Sequence, residues 1–369
     1  MKTNRVIKIF LASSEELEAD RYRFGNLIRK LDNIYEKRGI RIELFEWEDY
    51  DAAYNGMRKQ DEYNERVRAS DMFLALFHKK AGKFTIEEFN IARKAFDEQA
   101  SPKIYTYIKD LEAGESESRE LAEFKRLMLE ELGHYWCRYS NFDTMQLHFV
   151  LQLQMVEATT PIKVEVKESQ VKIGDSTIAD LNNVPFTSEN TTHKELKSRK
   201  EQLDREIGNA ESGGRRGFFG QRSRTTDEEL ANLRAERESV TEQIERQEKA
   251  LVDTAMSIAR MQGGECSSRM RTAAELFEKG ETGKAEAVLK EDDMEADATN
   301  AKLKFDTAAQ PTAELARNIE RCAGEYMLKA RIVISGIADE SRYLKAAKLM
   351  STAIDLVSGR LPEETLAEY

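Results

Sequence analysis

A short apolar segment followed by an amphipathic one constrains the fold of this chain more than any other stretch. Met72–Phe77 is a continuous apolar run, which is typical of a strand buried on both faces of a parallel sheet. A polar loop follows, and over residues 84–96 apolar side chains recur at helical spacing. Thr85 is predicted to cap this helix, with Glu88 at the capping-box position three residues later. The segment therefore predicts a buried strand, a loop and a helix that packs back on the sheet.

Residues 1–158 alternate between strand-like and helix-like segments. Strands are predicted at residues 5–12, 40–47, 72–77, 102–108 and 135–139, with helices between and after them. Alternation at this spacing requires βαβ crossovers. We therefore expect an α/β domain built on a flavodoxin-like parallel sheet.

Candidate site residues lie where the predicted strands end, because ligands of open α/β sheets bind at that edge. Ser13 and Ser14 follow the first strand, where hydroxyls and helix-start amides can hold a phosphate. Trp47 ends the second strand and can stack on an adenine or nicotinamide ring. Structural roles are equally open: the serines can cap a helix, Trp47 can be a core residue, and Glu87 and Glu88 can serve the helix terminus.

The apolar strand and the helix after it resemble part of a known family. Ser70-Asp71, the apolar strand, the polar loop and Phe84-x-x-x-Glu88-x-x-x-Ala92 are similar to the third strand and following helix of TIR domains. In that superfamily an aromatic residue, usually Trp, precedes the Glu that is catalytic in members that cleave NAD⁺. Here the aromatic residue is Phe84. The segments FLASS and EADR also resemble a divergent TIR-related family found at the N-terminus of bacterial multidomain proteins.

The resemblance implies an enzyme that cleaves the bond between nicotinamide and ribose, with NAD⁺ as substrate and no cofactor. It implies Glu88 as the catalytic residue. Substrate contacts are then expected from Ser13, Ser14, Trp47, Phe84 and Glu87, with Glu87 also the alternative catalytic residue if the register differs by one. In bacteria the resemblance suggests an anti-phage defence effector that depletes NAD⁺ when its helical tail is triggered.

Two other functions remain open at this point. Many TIR domains only self-associate, so a non-catalytic scaffold is one alternative. A nucleoside transferase or hydrolase that uses Glu88 is the other. The sequence contains neither G-x-G-x-x-G nor G-x-x-x-x-G-K-[ST], which disfavours redox use of NAD and P-loop hydrolysis.

The second half of the chain changes character at residue 159. Residues 159–190 are predicted to form a β-hairpin linker, because two short stretches alternate apolar and polar side chains. Residues 191–265 predict an antiparallel coiled-coil hairpin, with two apolar stripes separated by a glycine-containing basic segment at 213–224. That basic tip can contact an acidic partner, nucleic acid or another subunit, or it can be a flexible exposed loop.

Residues 266–369 are similar to tetratricopeptide helices, with Gly280 at the turn between two short ones. Helical arrays of this kind usually bind partners. We therefore expect self-association through the TIR-like domain and the coiled coil, and a protein trigger that acts on the helical tail.

Composition excludes several classes of function. The net charge of −11 disfavours general nucleic-acid binding. Three cysteines without a C-x-x-C motif, and four histidines outside metal-ligand spacing, argue against a disulfide framework or zinc site and predict no metal. No apolar run reaches the length of a membrane span, and the N-terminus turns acidic too soon for a signal peptide. A cytoplasmic location is expected.

Overall fold

The computed structural model describes residues 5–46, 59–132, 136–156, 162–213, 227–261, 266–336 and 340–362. The chain divides into two compact units. The first comprises Met1–Phe149 and Ile173–Ile178, and the second comprises Val150–Lys172 and Ala179–Tyr369. The parallel sheet belongs to the first unit, and the three longest helices of the described residues belong to the second.

Within the described residues, the N-terminal part contains five parallel strands alternating with helices. The strands are β1 (Arg5–Ser13), β2 (Ile40–Phe45), β3 (Met72–Phe77), β4 (Lys103–Lys109) and β5 (Trp136–Tyr139). The helices are α1 (Glu18–Glu36), α2 (Lys59–Arg68), α3 (Lys83–Gln99), α4 (Arg119–Glu130) and α5 (Phe142–Val156). The strand order is β2-β1-β3-β4-β5, and each neighbouring pair is parallel. The predicted α/β class and parallel sheet are confirmed, and this order occurs in flavodoxin-like sheets.

Apolar residues cover both faces of the sheet. On one face, the Phe124 ring of α4 lies 5.0 Å from Phe77 of β3 and 5.0 Å from Phe89 of α3, centroid to centroid. Helices α1 and α5 cover the other face, where the rings of Phe24 and Phe149 meet edge to face at 4.7 Å. Each buried aromatic side chain stabilises the fold by about 1.5–3 kcal/mol. Every residue of β3 is buried, as the apolar run predicts for a central strand.

Helix α3 begins at Lys83, ahead of the predicted cap at Thr85. The residue before it is Gly82, which has an extended backbone (φ −62°, ψ 137°) and no side chain to act as a cap. Thr85 is therefore the third residue of the helix, and Glu88 is the sixth, in the second turn rather than the first. The capping-box prediction for Thr85 and Glu88 is wrong, because the chain enters the helix directly after Gly82.

The C-terminal part of the described chain contains a small antiparallel sheet and a series of helices. The sheet has the order β6 (Val164–Lys167), β7 (Gln170–Ile173) and β8 (Ser176–Asp180). The helices are α6 (Pro185–Ser188), α7 (Thr191–Gly213), α8 (Asp227–Met261), α9 (Ser268–Glu278), α10 (Thr282–Val288), α11 (Glu291–Thr307), α12 (Ala313–Ile334) and α13 (Glu340–Val357). The predicted hairpin is present, and β8 extends it by a strand that the sequence pattern did not reveal.

Helices α7 and α8 pack against each other in opposite directions. Asp204 in the middle of α7 pairs with Arg237, and Glu211 near the end of α7 pairs with Arg234, which lies earlier in α8. The apolar seam between them consists of Leu196, Leu203, Leu233, Val240 and Ile244. Beyond Gly213, the predicted basic tip at 213–224 lies outside the described residues.

The predicted turn at Gly280 joins α9 to α10. Gly280 has φ +80°, and a Cβ there would lie 2.7 Å from the Pro185 carbonyl oxygen, so both conformation and space require glycine. Helix α11 follows and was not predicted. Only a narrow set of its residues is buried, Met294, Ala298 and Ala301, and this weak apolar pattern explains the omission.

Candidate functional site

The strand order creates a switch point between β1 and β3. The chain leaves β1 towards β2 on one side and returns to β3 on the other. In open α/β sheets, ligands bind outside the carboxyl ends of the strands at such a point. Ser13, the last residue of β1, pairs with Leu76 near the end of β3. The loop that begins at Ser14 and the loop over residues 78–82 therefore lie side by side at this edge.

The buried side chain of Arg21 holds the two predicted serines in place. Its Nη1 donates hydrogen bonds to Ser13 Oγ at 2.8 Å and to the Ser14 carbonyl oxygen at 3.0 Å. The Ser14 hydroxyl donates to Glu16 Oε1 at 3.3 Å, and although Ser14 precedes the short 3₁₀ helix Glu15–Leu17, its side chain makes no capping hydrogen bond. The alternative in which Ser14 acts as a helix cap is therefore wrong.

Glu16 joins the loop after β1 to the loop after β3. Its Oε1 accepts hydrogen bonds from the backbone amides of Lys79 at 2.9 Å and Lys80 at 3.3 Å. A Cβ placed on Gly82 would lie 3.9 Å from Ser14 Cβ, so the start of α3 adjoins the serines. The two loops thus form one continuous polar surface.

A cluster of charges borders this surface at the loop after β4. Glu115 Oε2 lies 3.2 Å from His78 Nε2, and Glu115 Oε1 lies 2.5 Å from Lys79 Nζ. The hydrogen bond from Lys79, followed by one from the Glu112 amide, lowers the pKa of the Glu115 carboxyl. The carboxylate is therefore held ionised beside the two basic side chains.

A second polar group lies beneath the edge of the sheet. Buried Asp20 accepts hydrogen bonds at Oδ2 from Lys109 Nζ at 2.9 Å and from the Tyr139 hydroxyl at 3.0 Å. Burial, followed by the charge of Asp20, raises the pKa of Tyr139, so its hydroxyl stays a hydrogen-bond donor. The group fixes α1 to the ends of β4 and β5.

Sequence reasoning missed Asp20 and Arg21 as members of the site. The helical spacing places them on the buried face of α1. They follow buried Leu17 by three and four residues, and buried Phe24 lies on the same face. Charged residues on the inward face of a helix require partners when buried. Their partners come from β1, β4 and β5, which no local pattern reveals.

The predicted residues of α3 occupy three different environments. The Glu88 side chain is 7% exposed, whereas Phe84 is 58% exposed. Glu87 is partly exposed and accepts a hydrogen bond at Oε1 from Asn64 Nδ2 of α2, at 3.3 Å. Trp47 lies outside the described residues. Among the predicted substrate-contacting and catalytic residues described on α3, only Glu88 is buried.

The structure brings Ser13 and Ser14 together through Arg21 and Glu16, next to the start of α3. Glu88 lies further along that helix, about 9 Å beyond Gly82 at 1.5 Å per residue. The predicted site residues therefore form two groups, one at the loop surface and one on the second turn of α3.

The fold defines the class of the N-terminal unit as an α/β protein whose parallel strand order reverses between β1 and β3, with a polar surface at that edge of the sheet. Comparisons with protein-family models, with curated proteins and with solved structures each found no match to the chain.

Two kinds of feature are absent from the described residues. No group of three or more His, Cys, Asp or Glu residues in the described part of the chain is arranged to hold a metal ion. The helices in the same ranges include none with the length and apolar character needed to cross a membrane.

Proposed function

We propose that the N-terminal unit cleaves the glycosidic bond between nicotinamide and ribose of NAD⁺, with Glu88 as its catalytic carboxylate, as TIR-type glycohydrolases do. One observation carries the proposal. Glu88 is 7% exposed and belongs to the helix that follows the central strand β3 and begins next to the switch point. A carboxyl group so shielded from water is suited to act on a positive charge that develops in a bound substrate.

The chemistry needs little more than one carboxylate. The nicotinamide ring of NAD⁺ already carries a positive charge, so it leaves as a neutral molecule without a general acid. The positive charge passes to the ribose, which becomes oxocarbenium-like in the transition state. A carboxylate shielded from water stabilises such a cation more strongly than an exposed one does. Water attack on the cation then gives ADP-ribose, and attack by a group of the substrate gives a cyclic product.

Substrate contacts follow from the same proposal. Ser13 and Ser14 lie beside the start of α3, where backbone amides and hydroxyls suit the phosphates of a dinucleotide. The exposed ring of Phe84 offers a stacking surface for a base, and the same role is proposed for Trp47. Glu87, which is hydrogen-bonded to Asn64, is proposed to line the site rather than to act on the ribose.

The helical part is proposed to control this activity. The antiparallel pair α7 and α8, with its apolar seam, is suited to a coiled-coil role in self-association. Helices α9 and α10 form the helix-turn-helix that a tetratricopeptide-like partner site would use. A bacterial defence effector that depletes NAD⁺ on receiving a protein trigger would combine these parts.

The test compares two neighbouring carboxylates. Glu88→Gln keeps the shape and removes the charge, so we expect nicotinamide release to fall at least ~100-fold, as when a transition-state charge partner is lost. Glu87→Gln tests whether the neighbouring carboxylate acts instead. Glu98→Gln, which changes an exposed carboxylate near the end of the same helix, is the matched control and should stay within about threefold of the wild type. Release is measured over a wide range of protein concentration, so that assembled forms are sampled.

Full activity of Glu88→Gln contradicts the proposed role of that residue. Wild-type protein that releases no nicotinamide at any concentration contradicts the enzyme, and favours the non-catalytic scaffold.

A further inference from the structure

Three side chains between the edge of the sheet and α5 form a hydrogen-bonded chain, named the thiol triad: Cys137, His148 and Tyr107. His148 Nε2 lies 3.2 Å from Cys137 Sγ, and His148 Nδ1 lies 3.2 Å from the Tyr107 hydroxyl. The parallel register pairs Tyr107 of β4 with Cys137 of β5, which directs both side chains to the same face of the sheet. Helix α5 supplies His148 to that face, and its ring meets Tyr107 edge to face at 5.6 Å.

We propose that Cys137 is a nucleophilic thiol that reacts with small peroxides, with His148 as its base and Tyr107 as the positioning residue of that base. A nucleophile, a base within hydrogen-bond reach and a third group that orients the base are the parts of an activated nucleophile. An imidazole beside a thiol accepts its proton and stabilises the thiolate, which is the reactive form. This inference is independent of Glu88 and of NAD⁺ cleavage.

Tyr107 is suited to hold the imidazole in one orientation. Its side chain is buried, and burial raises the pKa of its hydroxyl well above the ordinary value. The neutral hydroxyl can donate to Nδ1 or accept from it, so it keeps its hydrogen bond whether His148 is neutral or protonated. The ring therefore presents Nε2 to Cys137 in both states.

The two other cysteines lie in surroundings that favour the unreactive thiol. Cys266 Sγ donates to the Met261 carbonyl oxygen at 2.8 Å, and burial raises its pKa to about 11. Burial, followed by the charge of Glu325, raises the pKa of Cys322 to about 11. The chain thus contains two internal controls for the reactivity of Cys137.

The low exposure of Cys137 restricts the reagents that can reach its thiol to small molecules. Cys137 is 5% exposed, whereas His148 is partly exposed, so an uncharged molecule such as hydrogen peroxide fits the approach better than a bulky one. The thiolate attacks one peroxide oxygen, a sulfur–oxygen bond forms and the oxygen–oxygen bond breaks. Sulfur is oxidised by two electrons to the sulfenic acid, and the departing hydroxide takes the proton from His148 and leaves as water.

The experiment treats the full chain with hydrogen peroxide under native conditions. The protein is then unfolded in dimedone, which traps sulfenic acid, and each cysteine is quantified by mass spectrometry. Unfolding before trapping removes the effect of access to the trap itself. We expect Cys137 to be oxidised at least ~10-fold faster than Cys266 and Cys322, and to keep this advantage at about pH 6, where an ordinary thiol is less than about 1% thiolate.

Variants separate activation from mere exposure. His148→Gln should reduce oxidation of Cys137 to the rate of the other two cysteines, whereas His78→Gln, which removes an imidazole elsewhere, should leave it unchanged. Tyr107→Phe should shift the pH at which Cys137 becomes reactive. Equal oxidation of the three cysteines, or wild-type oxidation of Cys137 that falls with pH in parallel with Cys322, overturns the proposal even if His148→Gln fails to fold.

Discussion

Two adjacent residues of α1 carry opposite charges inside the protein, and each has found partners at the ends of strands. Asp20 receives hydrogen bonds from Lys109 and Tyr139, and Arg21 donates to Ser13 and Ser14. A buried charge without partners would cost several kcal/mol, so these contacts are a condition of the fold. The contacts of Arg21 also fix the position of Ser13 and Ser14 in the candidate site.

Replacing Arg21 tests this dependence. Arg21→Met keeps much of the apolar stem but leaves the Ser13 hydroxyl and the Ser14 carbonyl without the charged donor. We expect the free energy of unfolding to fall by about 2–3 kcal/mol, the usual cost of losing hydrogen bonds to a charged group. Urea denaturation measures the change.

Arg29→Met is the matched control, since Arg29 belongs to the same helix and is exposed. It should alter stability by less than about 0.5 kcal/mol. An Arg21→Met protein as stable as this control would show that the buried guanidinium is not needed to hold the loop.

Glu248 provides a prediction about pH in the helical unit. It is buried, and its Oε1 accepts hydrogen bonds from Ser169 Oγ at 2.7 Å and from His193 Nε2 at 2.9 Å. Burial by itself raises the carboxyl pKa, but the hydrogen bonds from His193 and Ser169 and the charge of Lys197 outweigh it, so the pKa is lowered. Folding therefore favours the ionised form.

A carboxyl whose pKa is lower when folded contributes stability above its unfolded pKa of about 4.3 and loses it as pH falls through the folded value. We expect amide exchange in α8 to accelerate between about pH 5 and pH 3 beyond its intrinsic pH dependence, and Glu248→Gln to flatten this response. Glu242→Gln, which changes an exposed pair with Arg246, is the control. The same dependence of α8 amide exchange on pH in the wild type, Glu248→Gln and Glu242→Gln would show that Glu248 does not stabilise the fold through its charge.

At the scale of elements, the sequence predicted features that depend on neighbouring residues in the chain, and it missed those that depend on contacts between distant residues. The apolar run of β3 identified a central strand correctly, because burial on both faces leaves a continuous pattern in the chain. The start of α3 was misplaced, since Thr85 matches a cap locally while the packing of Gly82 against Ser14 is set by distant residues. The polar network around Asp20 was missed for the same reason.

The turn between α9 and α10 allows a test with two glycines of the same region. Gly280→Ala places a methyl group 2.7 Å from a backbone oxygen at φ +80°, so we expect a loss of about 2–4 kcal/mol. Gly283→Ala, at a helical position where a Cβ meets open space among the described residues, should be neutral or gain up to about 1 kcal/mol. Thermal unfolding followed by helix-sensitive circular dichroism compares them. Equal melting temperatures would refute the packing argument.

At the scale of the molecule, the change in sequence pattern predicted a change in architecture. The alternating strand-like and helix-like segments predicted the parallel sheet, and the long charged stretches at helical spacing predicted the helices α7 and α8. Patterns of this kind report the class of each part but not its ligand, because recognition depends on a few side chains brought together from distant positions. For that reason the NAD⁺ and peroxide proposals depend on Glu88 and Cys137, two single residues, rather than on the architecture.

The contacts of the Glu16 carboxylate limit how the two loops at this edge of the sheet can be redesigned. Its Oε1 accepts hydrogen bonds from two backbone amides of the loop after β3, so the loop after β1 and the loop after β3 are held together. Moving one loop alone would either break these hydrogen bonds or displace the other loop with it. Reshaping this polar surface will therefore require paired substitutions, one in the loop after β1 and one in the loop after β3.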